Sequence, residues 1–288
     1  MAHPPRSFSQ GLRRALLTGF VVSSSLSLAD EARSEAKAPP PAHAPEGSPH
    51  WGYVDTLGPT HWGELPGART CANGKEETPV ALVTSSAAVD PQPAPVFRYA
   101  SSRVRMVNNG HTVEFQYDGG STLRVNGKDY TLAQFHFHTP SEHTEDGKHF
   151  PLEMHLVHKD AKGRLVVMGV FFEVGAHNAV LDTAFSHLPW GEGEHSDPQG
   201  ALIQASALLP KDPTYFHYQG SLTTPPCTEG VEWYVMKHPV TLSDVQLASF
   251  QRLPHINPNN RAIQPLNART VYLHASVVES PAVSRVEE

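Results

Sequence analysis

Two histidines, His136 and His138, stand two residues apart in the stretch Leu132–His138 (LAQFHFH), each next to a phenylalanine. Side chains alternate across an extended strand, so Gln134, His136 and His138 share one face and Phe135 and Phe137 take the other. A polar group buried without a partner is costly, so imidazoles on such a strand need something to bind. A second strand-like stretch, Leu152–His158 (LEMHLVH), puts Glu153, His155 and Val157 on one face. On neighbouring strands His136, His138 and His155 would converge. Three imidazoles suit Zn2+ and leave a fourth position for water, whereas a purely structural site would be closed. A ligating histidine usually gives its other ring N–H to an oxygen. Gln134 and Glu153, each two residues before a histidine and on its face, are the candidate acceptors.

A second metal reading stays open at this point. His136-x-His138 followed by Glu142 also fits the first motif of cupin barrels, in which Glu142 would itself be a ligand.

The elements that must position these residues are mainly strands. Val104–Val107, Thr112–Tyr117, Thr122–Val125, Leu132–His138, Leu152–His158 and Leu165–Val174 are short and rich in β-branched or aromatic residues. Turn clusters such as Asn108-Asn109-Gly110 and Asn126-Gly127 separate them. Helical pattern is confined to Asn178–Phe185 and to Ser243–Phe250, the latter capped by Ser243. This predicts a mainly β (α+β) domain built on antiparallel pairs with a few surface helices. The folded domain is expected over 51–288, after a Pro- and Ala-rich linker at 30–50 and an N-terminal segment at 1–29. That segment carries Arg6, Arg13 and Arg14, a short apolar run and the small-x-small site Ser27-Leu28-Ala29. It reads as a signal peptide, too short to span a membrane, with the twin-arginine route open. Export to the periplasm, or secretion, follows, and export favours a bond between the only two cysteines, Cys71 and Cys227. A formal net charge of −7 over 288 residues argues against nucleic acid or an anionic membrane as partner.

Taken in order, the motifs resemble those of α-class carbonic anhydrases of the exported bacterial kind. They are Trp51-Gly52-Tyr53, His61-Trp62, Cys71-Ala72-Asn73-Gly74, Asn109-Gly110-His111-Thr112, Gln134–His138, Ser141-Glu142-His143, Glu153–Val157, Gly220–Cys227, Glu229–Trp233 and Asn259-Asn260-Arg261 with Gln264-Pro265-Leu266. The resemblance runs from Trp51 to about Arg269. It implies a central, mostly antiparallel twisted sheet of about ten strands with a deep conical cleft. It implies reversible hydration of CO2 to bicarbonate and a proton by zinc-bound hydroxide, with His136, His138 and His155 as ligands. Thr223 matches the threonine that accepts from the hydroxide and donates to Glu142, which makes Glu142 a supporting residue rather than a ligand. His111 matches the proton shuttle, and Tyr53 and Asn109 match residues that order water in the cleft. Val157, Val167, Leu222, Thr224, Val231 and Trp233 match the substrate pocket, and Cys71 and Cys227 a disulfide. Sulfonamides and inorganic anions are the implied inhibitors. Some relatives form homodimers, though no interface is legible in this sequence.

Three positions depart from the family pattern: Glu77 stands where glutamine is usual, Glu145 where an apolar residue is usual, and Ala262 where proline follows the arginine. Glu77 is expected to alter a hydrogen-bond network at the cleft floor. A non-catalytic binding module on the same fold would have lost part of the constellation, and here all three histidines, Glu142, Thr223 and His111 are present.

Overall fold

The fold was obtained as a computed structural model, which describes residues 50–275. The expected signal peptide, the linker up to residue 49 and residues 276–288 lie outside the described residues.

Twelve strands form one sheet: β1 (Ala88–Val89), β2 (Val96–Arg98), β3 (Arg105–Asn108), β4 (Val113–Gln116), β5 (Thr122–Val125), β6 (Lys128–His138), β7 (Leu152–Lys159), β8 (Leu165–Val174), β9 (His195–Ser196), β10 (Tyr215–Ser221), β11 (Glu229–Leu242) and β12 (Tyr272–His274). Their order is β9-β3-β4-β6-β7-β8-β11-β10-β12-β1, with β5 also on β6 and β2 on β5. Most pairs are antiparallel, as expected, but β8 runs parallel to β11 and β12 parallel to β1. The strands expected from alternation are present, with ends displaced by a few residues, the largest change being the extension of β6 back to Lys128.

The long strand β11 has no counterpart in the sequence reading, because Lys237-His238-Pro239 interrupts its apolar run. The sheet accommodates the proline by a register shift: Met236 pairs with Val170 and Val240 with Phe172, which leaves the interruption out of the ladder. Both helices are present. Asn178 caps α1 (Ala179–Phe185) by accepting from Val180 N and Leu181 N. Ser243 opens α2 (Asp244–Gln251) in a reciprocal capping box with Gln246.

Alternation places two cores on the two faces of the sheet. Behind the histidines Phe115, Phe135, Phe137, Met154, Leu156 and Phe172 pack with Phe185 and Phe250 of the helices. Phe137 meets Phe115, Phe135, Phe172, Phe185 and Phe250 edge-on at centroid distances of 5.3–6.0 Å. Truncating such a buried ring costs about 3–5 kcal/mol. On the opposite face Val167, Phe171, Phe216, Tyr218, Val231, Trp233 and Val235 form the second core. Glu145, unexpected by family pattern, pairs with Lys237 Nζ.

Candidate metal centre and cleft

β6 and β7 are antiparallel neighbours in the middle of the sheet, with His155 directly opposite His136. His138 follows on the same face as His136, so all three imidazoles meet. Their donor atoms all lie within 4.8 Å of one another. Each ring has one nitrogen committed to an oxygen that can only accept. His136 Nδ1 donates to Gln134 Oε1 at 2.8 Å. His138 Nδ1 donates to the Asn259 carbonyl at 2.7 Å. His155 Nε2 donates to Glu153 Oε1 at 2.9 Å. The tautomers are thereby set, and Nε2, Nε2 and Nδ1 present lone pairs to a common point. Burial, and after it the neighbouring imidazoles, holds His136 well below the usual histidine range, so it stays neutral.

This donor set fits a zinc ion. His138 Nε2 is buried and has no hydrogen-bond partner, an arrangement that costs free energy unless a cation or another donor fills the position. Three neutral imidazoles with outer-sphere oxygens are a zinc set. A second grouping, His143 with Glu153 and His155, is also close, but its atoms are spent on each other. Glu153 Oε1 accepts from His143 Nδ1 at 2.7 Å, and Tyr218 donates its hydroxyl to His143 Nε2 at 2.6 Å. Glu153 Oε2 accepts from the backbone N–H groups of Glu142 and His143, each at 2.9 Å. Burial pushes the Glu153 carboxyl up, yet the His143 and His155 imidazoles overcome it and hold Glu153 well below the usual carboxylate range. Gly169, opposite His155, leaves room for this carboxylate: a Cβ there would stand 3.0 Å from Glu153 Oε1.

Glu142 lies beside the histidines without joining their cluster. Its Oε2 is 3.6 Å from His138 Nε2 and 3.8 Å from His155 Nδ1, while Oε1 accepts from Arg261 N at 2.8 Å. Glu142 Oε2 itself has no hydrogen-bond partner. The expected bond from Thr223 is therefore not made in this structure, although Thr223 is buried as that role requires.

Residues 57–275 match the protein family described as eukaryotic-type carbonic anhydrase. The chain belongs to that family. A carbonic anhydrase of Pectobacterium carotovorum is 42% identical over 226 residues, 78% of this chain and 91% of that protein. One of Nostoc sp. is 40% identical over 230 residues, 77% of this chain and 85% of that protein. The solved α-carbonic anhydrase of Thermovibrio ammonificans, in complex with the inhibitor sulfanilamide, aligns with a TM-score of 0.75 at 42% identity, covering 78% of this chain and 100% of that one. The chain is thus an enzyme of the carbonic anhydrase class, with the sheet architecture of that family, and not a cupin barrel.

In this carbonic anhydrase the apolar wall is assembled across four strands. Register aligns Val157 with Val167, Val167 with Trp233, and Trp233 with Tyr218. Val231 belongs to the same cluster, with Val157 and Leu222 packed against it. The Trp233 ring stands 4.8 Å from His155, which puts the wall next to the histidine cluster. Thr224 is half-buried on the loop that Cys227 closes by donating its N–H to the Thr224 carbonyl. Cys71 and Cys227 are bonded to each other.

The cleft rim carries His111, Asn109 and Tyr53. His111 is stacked on Trp51, with centroids 3.5 Å apart and planes 7° from parallel. Its Nδ1 is buried without a partner, and burial, helped by His50, pushes His111 down to about 4. Asn109 Oδ1 accepts from the N–H groups of His111 and Thr112, so it builds the turn that presents His111. Tyr53 packs edge-on against Trp51 and Trp62. Burial, then the Glu142 charge, raises Tyr53 well above the usual range. His111, Trp51 and Tyr53 line a rim cavity of about 450 Å3 together with His50, Glu192 and His255.

Sequence reasoning missed Asn259 as the partner of His138 and the His143–Tyr218 extension behind Glu153. The first is a backbone carbonyl far away in the chain and leaves no residue-type signal. The second was visible only as an unexplained histidine beside Glu142.

Proposed function

We propose that the protein catalyses the zinc-dependent, reversible hydration of CO2 to bicarbonate and a proton, with His136, His138 and His155 holding the metal. The observation that carries this reading is the convergence of three imidazole nitrogens, each freed by an oxygen acceptor on the other side of its ring. Zinc, when bound, supplies a water whose pKa falls from about 15.7 to about 7, and hence a nucleophile at neutral pH.

The chain's own residues supply the rest. CO2 is apolar, and Val157, Val167, Leu222, Val231 and Trp233 offer it a dry wall beside His155. Glu142 and Thr223 orient the nucleophile. With Oε1 taken by Arg261 N, Glu142 Oε2 is left to accept from the Thr223 hydroxyl, whose oxygen can then only accept. A Thr223–Glu142 bond, not made in this structure, completes that pair. His111 carries the product proton to solvent. Against Trp51 at about 4 it is unprotonated at neutral pH, so transfer requires the ring to leave the stack for the watered cleft, where its acidity returns toward 6.5. Tyr53 and Asn109 shape the cleft at this point. Sulfonamides and small inorganic anions bind at the metal as inhibitors, and the mature enzyme works in the periplasm or outside the cell, where the Cys71–Cys227 bond survives.

The test is stopped-flow CO2 hydration by mature protein of known zinc content, with a sulfonamide control. Rapid hydration that tracks zinc occupancy and is abolished by the sulfonamide is expected. A folded, fully zinc-loaded sample without hydration activity would overturn the proposal.

A further inference from the structure

Glu77 is the departure from family pattern that lies nearest the site and has no part in the chemistry above. It is buried, and its Oε2 lies 2.7 Å from Arg261 Nη1. The contact lies off the N–H direction and counts as an ion pair rather than a well-formed hydrogen bond. Arg261 is 1% exposed. Its guanidinium donates to two carbonyls, Thr78 O at 2.8 Å and Cys71 O at 2.9 Å. Carbonyls satisfy N–H groups but do not cancel a buried charge. Among the described residues Glu77 is the only carboxylate within ion-pair distance of Arg261.

The main chain at Arg261 is where this reaches the site. Arg261 N donates to Glu142 Oε1. Two residues earlier the Asn259 carbonyl accepts from His138 Nδ1, Asn259 Oδ1 accepts from Thr139 N at 2.7 Å, and Asn259 Nδ2 donates to Phe137 O at 3.0 Å. The short segment 259–261 therefore touches a proposed ligand and the proposed orienting glutamate, and its side-chain anchors are the Asn259 carboxamide and the Arg261 guanidinium.

We propose that Glu77 is a positioning residue for the hydration site, acting through Arg261 to hold segment 259–261, and with it Glu142, in register with the histidines. This rests on the reading of Glu142 given under the proposed function. Without the Glu77 oxygen the guanidinium keeps its two carbonyls and loses its counter-charge. It then relaxes toward water, and the backbone N–H that fixes Glu142 moves with it. A side-chain amide oxygen at position 77 can still accept from Nη1 but brings no counter-charge, so glutamine restores part of the anchoring while alanine restores none.

Five proteins test this: wild type, Glu77→Ala, Glu77→Gln, Glu142→Gln, and Glu77→Ala combined with Glu142→Gln. Active sites are counted by titration with a tight sulfonamide, so unfolded material does not contribute. Glu77→Ala is expected to lower kcat per titrated site about tenfold with KM within twofold, and Glu77→Gln, which replaces the oxygen but not the charge, to recover part of that. In the Glu142→Gln background Glu77→Ala is expected to change kcat less than twofold, because the residue it acts through is already altered. Independently of activity, amide hydrogen exchange over residues 259–262 of the metal-free protein should speed up at least tenfold in Glu77→Ala and by a smaller factor in Glu77→Gln. A stability loss with kcat per site and exchange both unchanged, or equal effects of Glu77→Ala in both backgrounds, overturns the proposal. An inactive wild type whose exchange still responds to Glu77→Ala would sink the catalytic reading while leaving the anchoring intact.

Discussion

Replacing Glu153 by glutamine isolates what holds the third histidine. The carboxylate accepts four hydrogen bonds, two on each oxygen: His143 Nδ1 and His155 Nε2 on Oε1, and the N–H groups of Glu142 and His143 on Oε2. A carboxamide has one accepting oxygen. If it serves the backbone pair, the amide NH2 faces two ring N–H groups. His155 can then avoid a donor–donor clash only by moving its proton from Nε2 to Nδ1, the nitrogen that faces the other two histidines, and it ceases to be a ligand. If the oxygen serves the rings instead, two buried backbone N–H groups are left facing donors. Either way two bonds to a charged acceptor are lost, at about 1.5–3 kcal/mol each. The expected loss is about 3–6 kcal/mol of folding stability, a large part of the 5–15 kcal/mol typical of a domain. Zinc affinity should fall about 10- to 100-fold as well. Urea unfolding of the metal-free protein measures the first quantity, and competition with a chromophoric chelator the second. A Glu153→Gln protein within about 1 kcal/mol of wild type and with unchanged zinc affinity would refute the tautomer argument.

Three further outcomes are expected. His158 is buried, with Nε2 2.6 Å from the Tyr99 hydroxyl and Nδ1 3.3 Å from the Val166 carbonyl, and burial pushes it from 6.5 to about 4. Between those values the unfolded chain binds a proton that the native state refuses, so stability should fall as pH drops from 6.5 to 4, by up to about 3 kcal/mol from this residue; His158→Gln should flatten that part of the denaturation profile, and an unchanged slope would count against the assignment. The Cys71–Cys227 bond joins residues 156 apart; the paired serine variant should lose about 5 kcal/mol in the chain-entropy account, read by chemical denaturation, and a loss below about 1 kcal/mol would show that the unfolded chain is already constrained. Dialysis against a strong chelator should abolish CO2 hydration and lower the Tm, with both restored by added zinc; activity that persists in metal-free protein would exclude the histidines as a metal centre.

Local chemistry carried most of what could be read in advance. His136, His138 and His155 are legible because period-two alternation and two antiparallel neighbours suffice to bring them together, and Gln134 and Glu153 because each shares a face with the histidine it serves. The caps at Asn178 and Ser243 are legible for the same local reason. The contacts that remained hidden are those in which distant segments meet through the backbone: the Asn259 carbonyl on His138, Arg261 N on Glu142, and the carbonyls of Cys71 and Thr78 on one guanidinium. A carbonyl is the same in every residue, so composition cannot announce it. The strand β11 was hidden for another reason: a proline in a buried strand argues against the strand unless a bulge absorbs it, and the bulge, which lies in β11 itself, shows only in its pairing with β8. His111 shows the limit of residue type as a guide to protonation, since its place against Trp51 and not its identity sets where it titrates.

The alternation in β6 has a consequence for how the chain assembles. A slip of one residue in its pairing would turn Phe135 and Phe137 into the cleft and drive His136 and His138 into the aromatic core behind the sheet. Such a misaligned sheet would offer a metal a single imidazole, His155, instead of three. On the proposed zinc reading, metal capture would act as a proofreading step: the ion would be retained only by chains whose central strands have zipped in the right frame, and the metal content of a preparation would count correctly aligned molecules.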